Sequence, residues 1–103
     1  MAIFLNTNDE QATSSPVTLQ TTRITMQVST VGGEKGTLMP RVAFLVKLPN
    51  PPSGAPSPDA DFSIVESVNP NGVYNLTLPQ GSEIRVDMSN NQRKCNVRVW
   101  GAE

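Results

Sequence analysis

The stretch Arg41-Val42-Ala43-Phe44-Leu45-Val46-Lys47-Leu48 constrains this chain more than any other, because it is apolar on both parities and is closed by Pro49. Val42, Phe44, Val46 and Leu48 share one face, Ala43 and Leu45 the other. Valine and phenylalanine favour a pleated, buried surface, and a run this short ended by proline predicts a central β-strand rather than a helix. Greasy on both sides, such a strand needs neighbours on either hand and cover above and below.

The rest of the chain supplies those neighbours as short strands separated by turn residues. Ile24, Met26 and Val28 alternate with Arg23, Thr25 and Gln27, whereas Val17 and Leu19 sit on the opposite parity. A one-residue slip exchanges the faces of a strand, so a bulge or bend is predicted at Gln20-Thr21-Thr22. Leu38–Leu48 follows the glycine-rich turn Val31–Gly36, with Pro40 expected as a bulge. Phe62–Val68 predicts a strand with Phe62, Ile64 and Val68 on one side. Asn69-Pro70-Asn71-Gly72 and Pro79-Gln80-Gly81-Ser82 read as turns around Tyr74, Leu76 and Leu78. Glu83–Ser89 turns Ile84, Val86 and Met88 inward. After a turn at Asn90–Lys94, Cys95, Val97 and Val99 face Asn96, Arg98 and Trp100. These last four strands read as a meander of hairpins. No window offers an amphipathic helix. Strands at this spacing predict an all-β domain, an antiparallel sandwich or barrel of jelly-roll or Ig-like type with about 6–8 strands.

One domain over residues 1–103 is long enough to form a core without disulfides or metal. Two segments stand outside the strand pattern. Residues 1–16 begin with Ile3-Phe4-Leu5 and turn polar from Thr7 to Pro16, which reads as an N-terminal arm whose apolar start needs either its own sheet or a neighbouring subunit. Residues 49–61 hold five of the nine prolines and read as an extended, protruding loop.

The chemistry is mostly excluded by what the chain lacks. There is no histidine and only one cysteine, Cys95, so the commonest general base and a thiolate metal cage are both missing. Asp59, Asp61 and Glu66 do not have calcium-loop spacing and read as solvated loop and strand carboxylates. No Ser-x-x-Lys pattern offers a serine nucleophile a base. The expectation is no enzyme, no metal and no cofactor. Net charge is −1, which gives no footprint for nucleic acid or lipid, and Arg93, Lys94 and Arg98 are too few to change that. Asn75-Leu76-Thr77 matches a glycosylation sequon, but no secretion signal or membrane span is read.

What remains is surface for partners. Trp100 beside Arg98 has the composition of an interface hot spot, against the alternative that a bulge turns the indole into the core. With Ile3, Phe4, Leu5, Pro51 and Pro52, these residues form the expected interface set.

The leading Ile3-Phe4-Leu5, the polar stretch to Pro16, the Pro49–Asp61 loop and the absence of a signal peptide give the chain a resemblance in texture to the small all-β accessory proteins of tailed-phage virions. That resemblance implies a decoration, cement, tail or connector component. It would be a homo-oligomer contacting major capsid or tail proteins, located in a virion assembled in the host cytoplasm. A carbohydrate- or ligand-binding β-sandwich, with Trp100 as its platform, is the second expectation. A small cytosolic regulator binding proteins through the proline-rich loop is the third.

Overall fold

Single-sided alternation does build most of this protein. The structure, a computed structural model, describes residues 2–33, 39–54, 56–68 and 71–103. Nine strands occur among them: β1 (Ala2–Thr7), β2 (Ala12–Thr13), β3 (Val17–Thr18), β4 (Arg23–Val31), β5 (Arg41–Lys47), β6 (Ser63–Val68), β7 (Gly72–Thr77), β8 (Glu83–Ser89) and β9 (Asn96–Ala102). The fold is all-β, in two antiparallel sheets. One runs β1-β9-β4-β7; the other runs β2-β8-β5-β6, with β3 also on β8. Ile24, Met26 and Val28 from the first sheet join Val42, Phe44, Val46, Ile84, Val86 and Met88 from the second in a single core. The ring of Phe44 meets Tyr74 of β7 edge-to-face at 5.7 Å, which ties the sheets across that core. The Cα positions extend only 17 Å along the thinnest axis, the depth of two layers.

The doubly apolar run is the central strand β5, flanked by β8 and β6. Leu45, on its outer face, is buried but stands outside the main core. Beside it the outer face is dressed by Phe62, whose ring lies under the Arg85 guanidinium (4.9 Å) and the Lys47 ammonium (5.4 Å). Lys47 in turn pairs with Glu83 across the strands at 2.7 Å. A cation held over an aromatic face lets a charged strand cover an apolar one.

Several expectations are corrected. Residues 2–16 lie on the chain's own sheets, the first of the two places open to Ile3-Phe4-Leu5, and do not stand out as an arm. β1 pairs with β9 along its length, β2 pairs with β8, and the intervening polar stretch is held by side chains. Ser14 is the clearest case: its N–H donates to the Val86 carbonyl, and its Oγ accepts from the Val86 N–H. A hydroxyl thus substitutes for the backbone partner that β8 lacks between β2 and β3. Counting these two short pieces raises the strand number above the expected range. The expected hairpin meander is also absent, since β6, β7, β8 and β9 alternate between the two sheets. A strand with one greasy face satisfies that face equally well beside its predecessor or opposite it.

Pro40 precedes β5 and starts the strand instead of bulging it. The bulge lies in β6: Phe44 pairs with Glu66 and Leu45 with Ile64, leaving Val65 extra. Ile64 therefore faces outward and Val68 inward, where uninterrupted alternation had put them together. The proline-rich connection contains one 3-10 turn, Pro58–Asp61, and is not wholly extended. Glu34–Leu38 and the Asn69-Pro70 half of the next turn lie outside the described residues.

The bend at Gln20–Thr22 is where the chain crosses from β3 in one sheet to β4 in the other. It is held from two sides. The β7–β8 turn, with Gly81 at φ 90°, bonds back to Leu19 through Gly81 N–H to Leu19 O (3.0 Å) and Leu19 N–H to Ser82 O (2.8 Å). From the other side, Glu103 Oε1 accepts from Gln20 N–H (2.7 Å), Thr21 N–H (3.0 Å) and Thr21 Oγ1 (3.2 Å). The Thr21 backbone bond, foremost among these, holds the Glu103 carboxyl below its ordinary 4.5. A depressed carboxyl stabilises the fold above its unfolded pKa and loses that contribution as pH falls through its folded value. On acidification, the amide resonances of Gln20 and Thr21 are therefore expected to titrate together with a midpoint below 4.5. Glu103→Gln is expected to abolish that titration; if it persists in the variant, the clasp is not what those amides report.

Candidate functional site

The outer face of the first sheet carries the strongest candidate. Register places Ile3 of β1 beside Trp100 of β9, Trp100 beside Gln27 of β4, and Gln27 beside Val73 of β7, in one row across the whole sheet. The neighbouring row is Asn6, Arg98 and Ser29. Strict alternation along β9 accounts for this: Val97, Val99 and Gly101 face inward, leaving Arg98 and Trp100 outside.

Gly101 is required inside. A Cβ there would stand 2.7 Å from Met26 Sδ and 2.9 Å from Ile24 Cδ1, so β9 can lie flat on the core only without one. That flat seating is what presents Trp100 squarely on the outer face.

At the sheet edge, β1 shapes the rest. A bulge between Ile3 and Leu5 makes Phe4 the extra residue. As a result Phe4 (8% exposed) and Leu5 (7%) both sink into the core while Ile3 stays 67% exposed. Ile3, Leu5, Asn6, Arg98 and Trp100 line a cleft of about 240 Å³. Arg98 reaches back over the indole, its guanidinium carbon 5.8 Å from the ring centroid, and its Nη2 approaches Ser29 Oγ at 3.4 Å. Asn96 Nδ2 donates to Asn6 Oδ1 at 3.1 Å and extends the polar rim.

Of the expected interface set, the structure therefore brings Ile3, Arg98 and Trp100 together. The bulge turns Leu5 inward beside Phe4, so both are buried, with Leu5 still lining the cleft. Trp100 is neither buried core nor a free platform, but half-buried, with the Arg98 guanidinium over its ring. Pro51 and Pro52 belong elsewhere, lining a hollow of about 620 Å³ with Leu48, Val65 and Leu78 at one end of the second sheet. Asn6 and Gln27 were not singled out from the sequence, since an isolated Asn or Gln on a strand gives no signal until its cross-strand neighbour is known.

The cleft is smaller than the roughly 300–1,000 Å³ of small-molecule sites, and suits one inserted side chain. A larger hollow of about 600 Å³ on the same sheet is lined by residues such as Arg23, Thr25, Asn75 and Glu103, with no aromatic ring. Among the described residues no group of three His, Cys, Asp or Glu could hold a metal ion, and no helix is long and apolar enough to cross a membrane. Comparison with protein-family models, curated proteins and solved structures finds no match to this chain.

Proposed function

We propose that this chain is a β-sandwich assembly module, non-enzymatic and cofactor-free, which docks onto a larger protein lattice through Ile3, Arg98 and Trp100. The sandwich reading rests on two antiparallel sheets sharing one core, and we take its strand order to be of jelly-roll or Ig-like type. The observation that carries the function is the cleft itself: an exposed isoleucine, a half-buried indole and an arginine converge on one edge of a stable sheet. Tryptophan and arginine surrounded by a polar rim are the residues that dominate protein interfaces.

The lattice in this reading is that of a tailed-phage particle. The chain would serve as a decoration, cement, tail or connector component among major capsid or tail proteins and copies of itself. Carbohydrate binding is the competing reading, because a sugar ring stacks on an exposed indole. It is disfavoured by Arg98, whose guanidinium occupies one face of the ring.

Co-sedimentation with purified capsids and tails tests the proposal. The wild-type protein is expected to pellet with one of them. Trp100→Ala is expected to weaken that association by about 30-fold or more, the loss of some 2 kcal/mol typical of a hot spot. Ile3→Asp, on an exposed position, should act in the same direction without unfolding the sheet. Failure of the wild-type protein to associate with any such particle, or quenching of Trp100 fluorescence by oligosaccharides, would replace this reading with another.

A further inference from the structure

The two sheets have four edges, and three of them carry a feature that blocks further pairing. β1 is bulged at Phe4, and β6 is bulged at Val65. β2 and β3 are two-residue pieces separated by Ser14-Ser15-Pro16. Bulges, short strands, prolines and charges are how sheets keep their edges from pairing with other chains. β7 has none of these. Gly72-Val73-Tyr74-Asn75-Leu76-Thr77 contains no charge and no proline, and it follows β4 from Arg23 to Val28 without a register shift. No described strand lies beyond it.

We infer that β7 pairs with β7 of a second copy, antiparallel about a two-fold axis through Asn75, joining two first sheets into one. This deepens the assembly reading above and rests on it, naming how copies of the chain contact each other.

The backbone sets which groups are available. Leu78 N–H donates to the Thr22 carbonyl at 2.8 Å. Hydrogen-bonded positions alternate along an antiparallel pair, so Leu76, Tyr74 and Gly72 also turn their N–H and C=O toward β4. Val73, Asn75 and Thr77 turn theirs to the open edge. With Asn75 on the axis, Asn75 faces the partner's Asn75 and Val73 faces the partner's Thr77, each pair exchanging both backbone bonds.

The side chains agree with that register on both faces. On the outer face, Asn75 Oδ1 accepts from Thr25 Oγ1 at 2.8 Å, while its amide N–H groups have no partner among the described residues and are available for the partner's Asn75. Val73, 61% exposed, meets a second β-branched side chain. On the inner face Tyr74 comes beside the partner's Leu76, an aromatic–aliphatic cross-strand pair that extends the core. A second copy is the occupant this edge favours because an uncharged strand places no like charges opposite each other, and identical patches are complementary only about a two-fold.

Residue 75 is opposite itself only in this register, which makes charge exchange the test. Wild-type protein in sedimentation velocity over a rising concentration series is expected to shift from monomer to dimer mass. Asn75→Lys and Asn75→Asp are each expected to stay monomeric, with thermal melts showing both folded. An equimolar mixture of the two is expected to recover the dimer. Asn75→Pro, which removes only an edge-facing N–H, is expected to stay monomeric whatever its mixing partner. A wild-type protein that remains monomeric throughout, or charge variants that dimerise unmixed, would overturn the inference. Dimers that ignore capsids and tails would sink the docking proposal instead and leave this pairing standing.

Discussion

A chain lacking residues 1–16 is expected to have no folded state at room temperature, giving a far-UV circular dichroism spectrum without the β minimum and no cooperative melt. The reason is what that segment buries. Phe4 and Leu5 are 8% and 7% exposed, and burying side chains of this size contributes about 2 kcal/mol each. Their removal strips cover from Val97, Val99 and the inner face of β9, so a packing loss is added to the transfer term. Ser14 leaves too, and the Val86 N–H and C=O lose both partners inside the second sheet. Asp9 and Glu10 take with them the carbonyls that anchor Asn91. Together these losses approach the roughly 5–15 kcal/mol by which whole domains are stable. Ile3→Asp is the control: the side chain is outward, so the variant should melt close to wild type. A truncated chain with a full β spectrum and a sharp transition would show instead that β9 can end the sheet unaided.

That truncation also marks where the sequence stops being readable. The inward sets of β4, β8 and β9 follow from alternation alone, and with them the outward placement of Arg98 and Trp100. The parity slip before β4 was legible as a bend, and the bend turned out to be a crossing between sheets. What alternation cannot show is a bulge. Ile3-Phe4-Leu5 reads as three apolar residues on a loose end until Phe4 is inserted as the extra residue, after which two point in and one out. Val65 does the same to Ile64 and Val68. Nor can a local pattern show which sheet a strand joins, since that depends on the total volume to be covered. Short polar segments are the hardest to read. Ala12-Thr13 and Val17-Thr18 are strands only because β8 presents them with unpaired groups, information that lies some seventy residues away in the chain (Ala12 pairs with Met88). The candidate cleft was half legible for the same reason: its β9 members obey a period, whereas Ile3 needs the register of an edge.

Asn91→Leu is expected to destabilise the protein by about 3–5 kcal/mol in urea titration, more than any other single polar substitution on the β8–β9 connection. In the sequence Asn91 is one of five polar residues between strands, and reads as a solvated turn position. In the fold it is 0% exposed. Its Nδ2 donates to the carbonyls of Asp9 and Cys95, both at 2.9 Å, and its Oδ1 accepts from the Cys95 N–H at 3.1 Å. Its own N–H donates to the Glu10 carbonyl at 2.9 Å. One amide side chain thus joins the segment after β1 to the start of β9, closing the end of the molecule where the sheets would otherwise expose backbone. Leucine has the same number of side-chain heavy atoms in the same branched arrangement and is no smaller, so the cost is not a cavity. It is the desolvation of groups left without partners in a buried site, at about 1–3 kcal/mol for each. Asn91→Asp keeps the shape and the acceptor but sets a carboxylate against two carbonyl oxygens, and should be no better tolerated at neutral pH. Neighbouring Asn90 supplies the contrast. It is exposed with φ 59°, so Asn90→Gly should change stability by no more than about 0.5 kcal/mol. If Asn91→Leu proves as mild as Asn90→Gly, water reaches the end of the sheets and the amide is not what closes it.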